Sequence, residues 1–236
     1  MNNNISAIVP FFNEEKYLQK SVQRLLDIKL FDQIILVDDC SSDNSKNIAN
    51  ELKSLHKNIE CVFQSKQQGK GSAVIAGLKE VKTKYVIVHD ADLEYFPRDI
   101  LDMYKIALNN PGALILGSRT LFGKTRNNKY KVTFLANKYF SKLFSIVNFY
   151  NLSDVASCYW LIESKILRDF DIEEKGFALE VEVLSKYLKV GSNIIETPIN
   201  YEGRLYSEGK KIKLKDGLII FFKILRYSKL NIFFKF

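Results

Sequence analysis

Four short aliphatic runs govern what this chain can fold into: residues 5–9, 34–37, 85–88 and 113–116, each ending abruptly in polar or charged residues. A continuous apolar run without alternation marks a strand buried on both faces. Helical periodicity fills the intervals, with apolar positions at Tyr17, Leu18, Val22, Leu25 and Leu26, and again at Val74, Ile75, Leu78 and Val81. Residues 59–63 add a fifth strand, Ser42 or Asp43 is placed to cap a helix reaching Leu55, and Pro97 enters a helix running to Leu108. Crossovers of that length suit parallel pairing, so the expected fold is α/β, a doubly wound Rossmann-like sheet. The second half is less regular: helices over 130–147 and 177–188, a short strand led by residues 154–160, and a late strand over 194–201.

In such sheets ligands bind outside the carboxyl ends of the strands. The ends here carry residues 10–14, 38–43, 90–94 and Arg119. The densest is Asp90-Ala91-Asp92-Leu93-Glu94. Read as extended backbone, it points Asp90 and Asp92 to the same side. Two like charges that close repel, and they require a cation between them or open water. A hard divalent ion that also touches phosphate oxygens answers the first case, a solvated acidic turn the second. Four chemically loaded strand ends in register favour a binding site over four chance loops.

Charge adds a second theme. The net charge is +8 over 236 residues, yet from Arg204 onward nine Lys and Arg face only Glu208 and Asp216, a local excess of +7. The basicity belongs to the tail, and nucleic acid, anionic lipid or a phosphate-bearing ligand each suits such a segment. Residues 218–227 are bulky and apolar, broken by Lys223 and Arg226, and too short to span a bilayer. They suit either a helix lying in the headgroup region or an ordinary terminal helix packed on the domain. The tail has no legible nucleic-acid fold and its aromatics sit among aliphatics, so nucleic acid is not an expected partner. Cys40, Cys61 and Cys158 make neither a metal cluster nor an even disulfide set, which suits a reducing compartment. With no secretory leader legible at the N-terminus, the expected location is cytoplasmic, peripheral to the inner face of a membrane.

The segments Val9-Pro10-Phe11-Phe12-Asn13-Glu14-Glu15, Val37-Asp38-Asp39-Cys40-Ser41-Ser42-Asp43, Gly69-Lys70-Gly71, Asp90-Ala91-Asp92-Leu93-Glu94-Tyr95 and Gly117-Ser118-Arg119, in that order, resemble the family 2 glycosyltransferases. Asp154 with the residues to Tyr159, Gly176-Phe177 with Glu180, and Tyr201-Glu202-Gly203-Arg204 followed by Ser207-Glu208-Gly209-Lys210-Lys211-Ile212 look like the dolichol-phosphate mannosyltransferase-like branch. The resemblance implies a glycosyltransferase A-type catalytic domain, here expected over residues 1–204, with a basic loop and amphipathic helical tail over 205–236. It implies an inverting hexose transfer, dependent on Mg2+ or Mn2+, from a nucleotide-sugar donor (a UDP- or GDP-sugar) to a polyprenyl phosphate acceptor. Carried onto this sequence, Pro10, Asn13 and Glu14 border the nucleotide, and Asp39, with Asp38 as the alternative, reads the base or ribose. Lys70 and Ala91 lie beside the nucleotide. Asp90 and Asp92 hold the metal, and Glu94 faces the sugar or metal. Arg119, Arg204, Lys210 and Lys211 meet phosphate groups, while Asp154 and Glu180 stand on the acceptor side. Asp92, Glu94 and Arg119 carry the catalytic roles. The chain departs from the family pattern at Trp160, at Ala178 and at Gln67-Gln68 before Gly69.

Chemistry then turns on the acceptor. A sugar hydroxyl needs a base, for which Glu94, Asp154 and Glu180 are the acidic candidates. A phosphate monoester has a second pKa of about 6 and is already largely a dianion at neutral pH, so it needs none. His56 reads as a helix-surface residue and His89 as a packed one. Two other readings stay open: transfer to a glycan hydroxyl in surface polysaccharide synthesis, and a non-catalytic nucleotide- or nucleic-acid-binding module.

Overall fold

The computed structural model describes residues 3–191, 193–205, 207 and 214–232. Its first half alternates as the periodicity requires: β1 (Ile5–Phe11), α1 (Leu18–Asp27), β2 (Gln33–Asp38), α2 (Ser45–Leu55), β3 (Ile59–Phe63), α3 (Lys70–Glu80), β4 (Tyr85–Val88), α4 (Arg98–Asn109) and β5 (Leu114–Ser118). The second half runs β6 (Arg126–Asn127), α5 (Lys131–Asn148), β7 (Trp160–Glu163), α6 (Ser164–Arg168), α7 (Leu179–Lys189), β8 (Ile194–Pro198), β9 (Tyr201–Glu202) and α8 (Leu214–Tyr227).

The main sheet has seven strands in the order β3-β2-β1-β4-β7-β5-β8. Pairing is parallel except at β7, which runs antiparallel to both β4 and β5. The sheet is therefore mixed, a refinement of the all-parallel pairing read from the crossover lengths. The excursion after β5 begins and ends at the same edge, so it must re-enter the sheet from that edge. β1 shows the two-sided burial directly: Ile5, Ala7 and Val9 pack with α1, α2 and α4, whereas Ile8 faces α3 on the other side. Gly77, which weakens α3 on propensity alone, is required by that packing. A Cβ there would stand 2.7 Å from Ile8 Cγ2.

Of the two caps read for α2, Asp43 serves: its Oδ1 accepts the Ser45 N–H at 2.9 Å, while Asn44 at the N-cap position makes no side-chain cap bond. One boundary differs from the sequence reading. The late strand splits after Pro198, where Asn200 turns onto Asp99, and Tyr201–Glu202 pairs with β6 in a separate two-stranded sheet. Helix α8 packs on the domain along one face and leaves apolar side chains exposed on another. Ile220, Ile224 and Tyr227 are buried, with Ile220 and Ile224 in the same core cluster as the apolar residues of α5 and α7, while Leu218 and Phe222 remain 63% exposed. No helix among the described residues is long and apolar enough to cross a membrane.

Candidate active site

Because β1, β2, β4 and β5 are parallel, their carboxyl ends open on one edge of the sheet. The loops there are stitched together by short polar side chains. Asn13 takes a left-handed backbone (φ 51°), and its Oδ1 accepts the Ser42 N–H at 2.8 Å, joining the loop after β1 to that after β2. Asp38 Oδ1 accepts the Ser41 N–H at 2.9 Å, and Asp39 accepts the N–H groups of Gln68 and Gly69, both at 2.8 Å.

These loops border a cavity of about 930 Å³. Pro10, Glu14, Asp39, Lys70, Asp90, Ala91, Asp92, Glu94, Arg119, Glu180 and Arg204 all line it. Three other residues singled out in the sequence do not. Asn13 and Asp38 brace the turns behind its rim, and Asp154 is fully buried behind Arg119. Lys210 and Lys211 lie outside the described residues.

The acidic strand end is not extended. The chain turns at Ala91 and Asp92, and Leu93 is left-handed (φ 64°), so the alternation of an extended strand does not apply to the two aspartates. Each has found a cation, which relieves the repulsion between them. Lys70 Nζ lies 2.9 Å from Asp90 and 2.8 Å from Glu180. Arg204 lies 3.2 Å from Glu14, 3.2 Å from Asp92 and 3.5 Å from Glu94. Burial alone would raise the Asp90 carboxyl, but the Lys70 ammonium holds it below its ordinary value. Asp92 goes the other way. Burial, then the charges of Glu94 and Asp90, push its carboxyl up to about 7.

Among the described residues no three His, Cys, Asp or Glu side chains already form a metal cage. The charge nevertheless fits a hard divalent cation. Five carboxylates (Glu14, Asp90, Asp92, Glu94 and Glu180) share two cations, Lys70 and Arg204, and oxygen-only donors in excess suit Mg2+ or Mn2+.

Arg119 and Asp154 form a buried bidentate pair at 2.7 and 2.8 Å, with a third bond from the Arg119 N–H. Burial alone would raise the Asp154 carboxyl, but that guanidinium holds it below its ordinary value. The rings of Tyr201 and Tyr95 lie 5.0 and 5.9 Å from Arg119 Cζ, and the Tyr201 hydroxyl donates to Glu94. Sequence reasoning gave Tyr201 no role, although the residue stands inside the quoted Tyr-Glu-Gly-Arg segment. His89 is packed, as read. Burial lowers its imidazole to about 4, and Ser21 and Tyr159 engage its two ring nitrogens. Trp160 is buried in the core and does not face the cavity.

The model of the family described as Glycosyl transferase family 2 matches residues 6–170. This chain belongs to that family. As a family 2 member it is similar to a dolichol-phosphate mannosyltransferase of Pyrococcus furiosus, 26% identical over 212 residues, covering 87% of this chain. The chain spans only 58% of that relative's length. An undecaprenyl-phosphate mannosyltransferase of Micrococcus luteus is 25% identical over 87% of this chain and 86% of its own. The family 2 fold is also that of glucosyl-3-phosphoglycerate synthase from Mycobacterium tuberculosis, solved in complex with Mn2+, UDP-glucose and phosphoglyceric acid. It superposes with a TM-score of 0.75 at 16% identity, covering 95% of this chain and 79% of that one. The fold is thus of the glycosyltransferase A type, as the sequence resemblance implied.

Proposed function

We propose that this chain transfers one hexose from a nucleotide diphosphate sugar to a polyprenyl phosphate at a membrane surface, with inversion. The observation that carries this reading is a single cavity with two characters. One end holds the carboxylates and cations described above. The other is apolar, lined by Val132, Ala136 and Phe140 of α5, Val181 of α7, and Ile219 and Ile220 of α8. Helices α5 and α8 also turn large apolar side chains outward: Val132, Leu135, Tyr139, Leu218 and Phe222 are all more than half exposed. A polar end for a diphosphate beside an apolar shelf suits an acceptor with a charged head and a hydrocarbon tail.

Asp90 and Asp92 are the residues to hold Mg2+ or Mn2+, which as a Lewis acid stabilises charge on a departing diphosphate. Lys70 stands beside the same place and adds a fixed positive charge. Arg204, on its acidic partners, is set to meet phosphate when the carboxylates gain another cation. The acidic candidates for a base are all engaged. Glu180 is tied to Lys70, Asp154 to Arg119, and Glu94 accepts from Tyr201 and from the Arg204 backbone N–H. That favours an acceptor arriving already ionised, as a phosphate monoester does, over a sugar hydroxyl.

The test is an acceptor assay with radiolabelled UDP- and GDP-hexoses, Mn2+ and undecaprenyl or dolichyl phosphate in detergent, with no glycan present. A lipid-soluble labelled product is expected. No lipid-soluble product there, with label appearing only when an oligosaccharide is supplied in a parallel reaction, would replace this reading with transfer to a hydroxyl.

A further inference from the structure

The segment joining α6 to α7 is fastened from two sides. Glu182 of α7, fully buried, accepts the backbone N–H groups of Glu173 at 2.9 Å and Glu174 at 2.8 Å. From the other side α8 reaches the Glu174 carboxylate: the Tyr227 hydroxyl donates to Oε1 at 2.8 Å, and Lys223 forms an ion pair with the same oxygen. The segment's carbonyls then close on the corner that opens α3. The Lys175 carbonyl accepts the N–H groups of Gly71 at 2.8 Å and Ser72 at 3.3 Å.

There is no slack in that contact. A Cβ on Gly71 would lie 2.0 Å from the Glu174 carbonyl oxygen, and one on Gly69, whose φ is +104°, would lie 2.4 Å from that of Lys175. Only glycine allows backbone to meet backbone here. Lys70 stands between the two glycines, with its ammonium bridging Asp90 and Glu180.

We propose that Glu174 is a positioning residue that makes α8 part of the nucleotide site: α8 holds its carboxylate, and its segment, pressed against the Gly69–Gly71 corner, sets where Lys70 stands. This rests on reading Lys70 as a donor-site residue. The helix that offers an apolar outer face to the acceptor side then also governs affinity on the donor side.

The test uses the full chain with Tyr227→Phe, Glu174→Ala, Glu174→Gln and, as control, Arg226→Gln. UDP and GDP are titrated calorimetrically with Mn2+ present, and amide hydrogen exchange is followed at Gly71 and Ser72. Losing one buried hydrogen bond is worth about 1 kcal/mol, so Tyr227→Phe should raise the nucleotide Kd about fivefold. Glu174→Ala should raise it further, and Glu174→Gln, which keeps an acceptor for Tyr227, should recover part of the loss. Exchange at Gly71 and Ser72 should quicken in step. Arg226 pairs with Glu173 where both side chains are about half exposed, so its variant should change neither readout. Unchanged exchange at Gly71 and Ser72 in Tyr227→Phe overturns the proposal, as does exchange quickened equally throughout α7 and the sheet. If neither nucleotide binds the wild type, the donor reading of Lys70 fails, and the exchange data still decide whether Glu174 holds the corner.

Discussion

Arg204 and Asp92 are 112 residues apart in sequence, and Arg204 Nη2 donates to Asp92 Oδ2 at 3.2 Å. The same guanidinium also pairs with Glu14 and Glu94, so one positive charge is shared among three carboxylates. A divalent ion arriving at Asp92 takes over part of that task. Arg204→Met should therefore destabilise the metal-free protein by about 3–5 kcal/mol, because buried carboxylates are left without their partner. Mn2+ should then raise its melting temperature more than it raises the wild type's. Equal Mn2+ shifts would mean that Arg204 and the metal do not share carboxylates.

Asp92 supplies a test of opposite sign. Its carboxyl is raised from 3.8 to about 7 in the folded protein. A raised carboxyl keeps its proton on folding, so its contribution is full below about 4 and drains away as the pH climbs through about 7. Asp92→Asn has no such loss. Without metal at pH 8 it should melt above wild type, by roughly 1–2 kcal/mol, while metal-dependent turnover falls about a hundredfold or more. A variant that melts lower at pH 8 would show that the Arg204 contact outweighs the repulsion from Glu94 and Asp90.

His89 works in nearly the same pH window with the contrary sign. Its imidazole is lowered from 6.5 to about 4 by burial, with Asp90 opposing and Arg24 adding to the shift. A depressed histidine contributes stability that is full above about 6.5 and is lost as the pH falls toward 4, by at most about 3 kcal/mol. The gap in melting temperature between wild type and His89→Gln should narrow steadily from pH 7 to pH 4. A constant gap would mean that His89 has the same pKa folded and unfolded, and a widening gap that it is already charged at neutral pH.

The two faces of α8 separate membrane attachment from folding. Leu218→Asp with Phe222→Asp changes only outward positions, so the melting transition should stay while binding to anionic liposomes at low salt is lost. Ile224→Ala, at a position with no exposure, should cost about 2–4 kcal/mol. Liposome binding unaffected by the aspartates would remove the membrane from the proposal. Deleting α8 altogether strips Ile220, Ile224 and Tyr227 from the core, so truncation alone cannot tell anchoring from packing.

The parallel half of the sheet was legible because buried strands and amphipathic crossovers each write a period into the chain, and residues 5–118 keep to it. Residues at the strand ends were legible for the same reason, since position in a parallel strand fixes which edge a side chain occupies. What was not legible depends on distant partners. Nothing local in Trp160–Glu163 says that it will slip antiparallel between β4 and β5. Asp90-Ala91-Asp92 turns instead of extending, and its carboxylates are engaged by Lys70 and Arg204, which come from elsewhere in the chain. Helix α8 is apolar around most of its surface, so its sequence alone could not say which face packs. Glu174 left no signal at all, being the second of two adjacent glutamates in a short polar connection.

The hydrogen bond from Gly117 N to the Tyr159 carbonyl, 2.7 Å long, closes the excursion between β5 and β7 at its base. The stretch from Arg119 to Cys158, with β6 and α5, leaves and rejoins the sheet at two adjacent points, and beyond them it is held by β9 at β6 and by α7 and α8 at α5. Under the proposed function, the loops after β1, β2 and β4 serve the donor and α5 the acceptor, so a change of acceptor would fall largely within one continuous piece of chain.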